Sequence, residues 1–475
     1  MRSRPGGIKS NSHAAMADPV LREALAKLKT GFQAKRKIAA ANLPEFEALR
    51  DQARDMKRAV LKDLDSYLEI FETKVQEQGG QVHWASSDQE ARDIVLAICR
   101  QAKAKLVAKG KSMISEEIAL NPWLERHGFE VVETDLGEYI IQLRAEPPSH
   151  IIAPAIHLSR HQVAAAFRSR HKELDDKRQL SEPRQLLDEA RAILRQKFLA
   201  ADVGITGANF LVAETGSFVL VTNEGNGDLT QTLPRVHIVL ASIEKVVPTL
   251  EAASLLTRLL ARSATGQEMT SYTTVTTGPK RAGDLDGPEE FHIVLLDNGR
   301  TAMLGGPFED MLRCIRCAAC INHCPVYGAI GGHAYASFYC GPMGSVLTPA
   351  LAGLEEWSDM PDASSLCGRC EQVCPVRIPL PRMLRSWRER AFERKITSAT
   401  TRFGLGVWGA VAKRPWLYRL LVDLGMPVLK LLAGKKGSLS SLPLAGGWTA
   451  SRDLPAPEGR SFVTQWAEYK KGARQ

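Results

Sequence analysis

Apolar residues recur every three or four positions through the first part of the chain. Leu43, Phe46, Leu49, Ala53, Met56, Val60, Leu64 and Leu68 share one helical face. Residues 18–78 therefore read as a helical segment whose stripe packs against the domain that follows. Pro44, after Asn42 and before Glu45 and Glu47, fits a helix start, and Gly79-Gly80 ends the segment. Residues 1–17 hold Arg2, Arg4 and Lys9 without an apolar core, which excludes a secretory signal and predicts a disordered leader.

From 79 to 300 the period changes. A helix is predicted over Asp88–Lys109, and β-rich runs over Glu130–Thr134, Tyr139–Leu143, Phe218–Thr222, Val236–Ala241, Tyr272–Thr277 and Phe291–Leu296. Helical sequence lies between them, including Gln185–Ala200 and Thr249–Ala261. This alternation predicts an α/β domain with helices layered on a sheet. Cys99, within apolar Ile94–Cys99, reads as a small core residue. The loops Gly204–Asn209, Glu214–Ser217 and Thr222–Gly227 are rich in Gly, Asn, Ser and Thr. Such loops are more often tight turns, and they can also bring backbone N–H groups to a small anion. Gly110-Lys111-Ser112 is not a phosphate loop, because the glycine required upstream is Lys105.

Composition adds two asymmetries. The chain has 475 residues, 44% hydrophobic and 24% charged, which excludes wholesale disorder and fibrous repeats. No run of 18 apolar residues is present, so no transmembrane helix is predicted. The net charge of +9 divides unevenly: residues 381–475 hold 18 Lys+Arg against 6 Asp+Glu, which is +12, leaving −3 for the first 380. Eight of the nine cysteines lie between Cys314 and Cys374. A cytoplasmic location is expected, with a peripheral place at the inner membrane face as the alternative. In the cytoplasm clustered cysteines read as metal or redox sites, not structural disulfides.

Cys314, Cys317, Cys320 and Cys324-Pro325 form the run C-x2-C-x2-C-x3-C-P. That spacing wraps three thiolates round one [4Fe–4S] cubane and sends the fourth to a second cluster. Cys367, Cys370 and Cys374-Pro375 repeat its last three positions, with Ser364 where the first would stand. By the cross-over rule Cys314, Cys317, Cys320 and Cys374 hold cluster 1, and Cys324, Cys367 and Cys370 hold cluster 2 with one position open. Cys340 could fill it; a three-iron cluster or a non-standard ligand are the alternatives. Zinc prefers paired knuckles separated by a longer loop, so iron–sulfur is favoured. His323 and His333 suit outer hydrogen bonding better than ligation. Arg313, Arg316, Arg369 and Arg377 crowd the cysteines and should raise cluster potentials, or else solvate the loop or dock an acidic partner.

Beyond Pro375 a basic amphipathic helix places Arg382, Arg385, Arg388, Arg390 and Arg394 around Leu384, Trp387 and Phe392. Five tryptophans fall in this tail: Trp387, Trp408, Trp416, Trp448 and Trp466. Docking to a partner subunit is the first reading; an anionic membrane, nucleic acid and a solvated face compete.

The order Gly204-Ile-Thr-Gly-Ala-Asn209, Glu214-Thr-Gly-Ser217, Thr222-Asn-Glu-Gly225, Arg262-Ser-Ala-Thr-Gly266 and then the two cysteine motifs resembles the lactate utilisation protein B family. Pro147-Pro-Ser-His150 and Gly287-Pro-Glu-Glu290 extend the resemblance over nearly the whole chain. It implies a lactate-utilisation domain similar in fold to sugar isomerases and CoA transferases (79–300), a helical ferredoxin-like domain for two [4Fe–4S] clusters (301–385) and a basic Trp-containing C-terminal domain (386–475). It also implies work with a cysteine-rich subunit and a second α/β subunit, together oxidising L-lactate to pyruvate, with electrons passing to a carrier such as a quinone. The motif cysteines carry over as ligands; Cys340 departs from the family, which often has proline or serine there. No acid/base constellation suited to unaided lactate oxidation is apparent, so a non-catalytic electron-transfer subunit is expected. Glycolate or heterodisulfide chemistry, and a redox-sensing nucleic-acid binder, are the competing readings.

Overall fold

A computed structural model describes residues 7–175, 177–442, 449 and 452–472. The chain forms two compact units, 1–391 and 392–475. In the larger unit a six-stranded parallel sheet is built from β1 (Gln81–Ala85), β2 (Leu106–Lys109), β3 (Glu130–Glu133), β4 (Val203–Thr206), β7 (Val236–Ser242) and β10 (Glu290–Leu296). Its order is β1-β10-β7-β4-β2-β3. A second sheet, ordered β8-β5-β6-β9, comprises β5 (Phe210–Val212), β6 (Ser217–Thr222), β8 (Val246–Val247) and β9 (Tyr272–Thr276).

Parallel strands are covered on both faces, so both sets of alternating side chains are mostly apolar, with His237 and His292 among the buried exceptions. On β7 and β10, Ile238, Leu240, Val294 and Leu296 enter one core with Val95, Ile98 and Cys99. Val239, Ala241, Phe291, Ile293 and Leu295 enter the other with Val60, Leu64, Leu68, Phe71 and Val75. The N-terminal stripe thus packs directly on the sheet, through helices Phe46–Lys62 and Leu64–Glu77. Gly216, at φ +66°, lies so close to Lys74 and Val75 that a Cβ would collide with their backbone.

Several boundaries differ from the sequence expectation. The leader is helical from Ile8 to Ala17 with Ile8 buried, while residues 1–6 lie outside the described residues. The helix expected over Asp88–Lys109 ends at Gln101: Lys103 turns left-handed at φ +51°, the Ala104 N–H closes onto the Cys99 carbonyl, and β2 begins. Tyr139–Leu143 is helix, not strand. Asp135 caps its first turn, accepting from Gly137 N and Glu138 N at 2.9 and 3.1 Å. Its apolar run serves two small cores, Ile140 in one and Tyr139 in the other. The boundary drawn at 386 falls inside helix Leu380–Glu393. Trp387, assigned to the tail, is buried, stacks on Phe308 at 3.9 Å and donates to the Val346 carbonyl.

The smaller unit holds helices Ala399–Ala412 and Pro415–Ala433, a short antiparallel pair Ser438–Leu439 with Leu454–Pro455, and helix Phe462–Gly472. Trp408, Trp416 and Trp466 are exposed. Trp448 lies outside the described residues. Among the described residues no helix is long and apolar enough to cross a membrane.

An ion network ties the cysteine segment to the sheet. Arg300 donates to both Glu117 oxygens at 2.9 and 2.7 Å, and its Nε lies 3.0 Å from Glu244. Glu244 in turn accepts from Arg316 at 3.2 Å. Burial pushes the Glu244 carboxyl up, but Arg300 and Arg316 prevail and hold it down at about 2. Removing one member leaves buried charge unpaired, so Arg300→Met should cost about 3–5 kcal/mol. Thermal unfolding checks this, and an unchanged midpoint would show the network to be dispensable.

Candidate metal centre

The two cysteine motifs adopt the same local form. Ala318 (φ +58°) and Gly368 (φ +81°) are left-handed, and each begins a short helix, Ala319–Asn322 or Arg369–Val373, that carries Cys320 or Cys370. These two helices pack together. After each Cys-Pro the chain turns back on the sulfur: Tyr327 N donates to Cys324 Sγ at 3.5 Å and Ile378 N to Cys374 Sγ at 3.4 Å. Such N–H groups suit a thiolate that carries charge.

The cysteines fall into two adjoining electrostatic neighbourhoods. Burial raises the Cys320 thiol, Cys314, Cys317 and Cys374 raise it further, and Cys370 of the other motif adds to them last. Cys314, Cys317, Cys320 and Cys374 line one small cavity with Ile151 and Met343. Burial first, then Cys324 and Cys367, push Cys370 up to about 12. Burial and then Cys324 push Cys340 up to about 12, and its Sγ lies 3.7 Å from the Ser149 carbonyl oxygen. A group of thiols this reluctant to ionise together is stabilised by iron, which removes the protons and neutralises the charge. Cys367 is exposed and Cys314 partly so; the other motif cysteines are buried. Ser364 accepts from Leu366 N at 3.1 Å, which shapes the turn.

Buried cations surround the first neighbourhood. Arg36 is influenced by Cys317, Arg313 by Cys374 and Arg316 by Cys314. Each leaves a buried donor without a partner: Arg36 Nε, Arg313 Nη1, and Arg316 Nε and Nη1. Orphaned donors beside four thiolates fit an anionic iron–sulfur cluster. Arg377, by contrast, turns to Glu47 and Asp51 at 2.9 and 3.1 Å. The histidines bind carbonyl groups: His323 Nδ1 lies 2.9 Å from Ala319 O, and His333 Nε2 lies 2.8 Å from Pro147 O.

Several residues that hold the centre escaped the sequence reading. Arg50 donates to the Cys374 carbonyl at 2.8 Å and the Gln372 carbonyl at 2.7 Å, and Arg36 to the Val373 carbonyl at 3.0 Å. Lys57 donates to the Glu244 and Val246 carbonyls. His150 is buried with its Nε2 3.0 Å from Asn322 Oδ1, and burial lowers it to about 3. Arg50 and Lys57 sit on the buried face with Phe46, Ala53 and Val60; basic residues on an apolar stripe were the available signal. Of the Gly/Asn segments, residues 204–206 lie in β4, Ser217 and Thr222 are the ends of β6, and Asn226 begins a short helix; polar groups between them bond internally. Asn209 Oδ1 accepts from Val221 N at 2.9 Å, and Asn223 pairs with Gln267.

The fold and site define an iron–sulfur protein in which an α/β domain carries a ferredoxin-like segment. The family model described as LUD domain matches residues 68–296, and that described as 4Fe-4S dicluster domain matches 310–378. Lactate utilization protein B of Bacillus subtilis is 41% identical over 100% of this chain and 98% of its own. That of Lysinibacillus sphaericus is 41% identical, with 95% and 94% covered. The uncharacterized electron transport protein YkgF of Escherichia coli is 40% identical, with 98% and 97% covered. The chain belongs to the lactate utilization protein B family.

Lys57 is fully buried and interacts with Cys314; burial pulls it down to about 8, against Glu244 and Cys314. It is therefore mostly charged at neutral pH. Lys57→Met should lower the potential of the nearer cluster by roughly 50 mV at an effective dielectric near 20. Redox titration at unchanged iron content measures this, and an unshifted potential would remove Lys57 from the cluster's electrostatics.

Proposed function

We propose that this protein is the electron-transfer subunit of a complex that oxidises L-lactate to pyruvate, and that it holds two [4Fe–4S] clusters. The carrying observation is that Cys314, Cys317, Cys320 and Cys374, three from the first motif and one from the second, line one small cavity, the grouping that the cross-over rule requires for the first cluster; Cys324, Cys340, Cys367 and Cys370 remain for the second. In this reading Cys340 is the fourth ligand of the second cluster, supported by its complete burial and its proximity to Cys324.

When bound, the clusters supply one-electron redox steps. The chain's own residues position them: Arg36 and Arg50 fix the second motif's backbone, and Tyr327 and Ile378 offer N–H groups to sulfur. The exposed edge at Cys367 is the side from which an electron partner could approach the second cluster. The partners are a cysteine-rich subunit and an α/β subunit, with a quinone as a candidate acceptor. The lactate assignment rests on the family's name, and glycolate remains the substrate to compare.

Anaerobically purified protein should contain about eight irons. In Cys340→Ser the count should fall toward four, or a three-iron paramagnetic signal should appear. Unchanged iron and spectra in that variant would exclude Cys340 as ligand. A strain lacking the gene should fail to grow on L-lactate and recover with the intact copy; normal growth on L-lactate but not on glycolate would transfer the assignment.

A further inference from the structure

A cavity of ≈ 970 Å³ opens in the larger unit and is lined by Glu116, Glu133, Glu138 and Asn121. Glu133 is the last residue of β3, and Lys109, which it contacts, is the last of β2. The chain leaves β2 for β3 at the sheet edge and then crosses back to β4 on the other side. The carboxyl ends of these strands therefore form a topological switch point, where parallel α/β sheets place ligands.

The acidic groups there are incompletely satisfied. Carboxylate oxygens of Glu116, Glu133 and Glu138 all lie within 4.8 Å of one another. Lys109 is fully buried; its ammonium lies 2.7 Å from Glu133, donates to Ser115 Oγ at 2.7 Å and is 3.6 Å from Glu116. Ionised together, the three carboxylates would exceed this one ammonium by two charges, with Lys111 as a further cation acting on Glu138. Glu133 Oε1 also accepts from Asn121 at 2.6 Å, while Glu133 Oε2, on a side chain only 3% exposed, has no partner. Asn121 Oδ1 is likewise buried and unpartnered. Glu138 is 2% exposed. Burial and the neighbouring Glu133 and Glu116 carboxylates push Glu138 well above the usual carboxylate range.

From this arrangement we infer a divalent-cation site formed by Glu116, Glu133 Oε2, Glu138 and Asn121 Oδ1, separate from the cysteine centre. The donors are all oxygen, which selects a hard ion such as Mg²⁺ or Mn²⁺ over thiolate-seeking metals. A divalent ion would take the place of the protons that the crowded carboxyls otherwise keep. The rest of the cavity leaves room for water or a ligand oxygen to complete its coordination.

The test uses the full protein with its clusters intact, titrated anaerobically with Mn²⁺ while the six-line paramagnetic signal of free Mn²⁺ is followed. One Mn²⁺ per chain should bind and be displaced by Mg²⁺. Glu138→Gln should weaken binding by more than the about tenfold to hundredfold typical of an outer-sphere change. Iron content should stay the same. Without added cation this variant should melt no lower than the wild type, because it replaces a carboxyl held protonated by burial with an amide of the same shape. Glu133→Gln should also lose the ion; if it misfolds through loss of the Lys109 partner, Glu138→Gln carries the test. Absence of Mn²⁺ binding at millimolar concentration, or wild-type affinity in Glu138→Gln, would overturn the site and leave a protonated carboxyl cluster in its place.

Discussion

Everything in the larger unit leans on a buried chain of alternating charge: Glu117, Arg300, Glu244, Arg316. Glu117 follows β2, Glu244 follows β7, Arg300 follows β10, and Arg316 stands between the first two cluster-motif cysteines. Tyr339, immediately before Cys340, donates to Glu117 at 2.8 Å, and its ring lies under Arg316. Charges buried at this depth are stable only as a set, because each lost partner exposes the others to desolvation. The sheet and the cysteine loops are therefore parts of one electrostatic object.

The N-terminal helices serve both parts at once. Their apolar stripe fills one face of the sheet, while Arg36, Arg50 and Lys57 reach past it to main-chain carbonyls near the cysteines. Each charged hydrogen bond of this kind adds about 1.5–3 kcal/mol in a dry site. It also fixes a loop with little regular structure of its own, since the motif helices span only four and five residues. Positional precision at the cysteines is thus borrowed from long helices elsewhere.

How much was readable in advance follows from where each signal resides. The cysteine spacing is a local constraint, and the layered α/β class was visible in alternating apolar runs. β2 was hidden because the helix before it ends at Gln101 and the chain turns at left-handed Lys103, with no glycine to advertise it. Tyr139–Leu143 looked like a strand because aromatic and branched residues cluster there, yet cores on different sides of a helix use them. The clamp from Arg50 to Cys374 spans 324 positions, and no local pattern encodes a pairing at that distance. Glu116, Glu133 and Glu138 are similarly scattered, joined only by the folding of neighbouring strand ends.

That same span has a consequence for biosynthesis. While the chain is being made, Arg36 and Arg50 emerge early and their carbonyl acceptors at 372–374 come last among the motif residues. For most of translation the N-terminal helices can settle on a partial sheet but cannot close over the cysteines. Contacts of such high order form slowly, after the local elements exist. Until that closure the second motif lacks the anchors that Arg36 and Arg50 supply to its backbone.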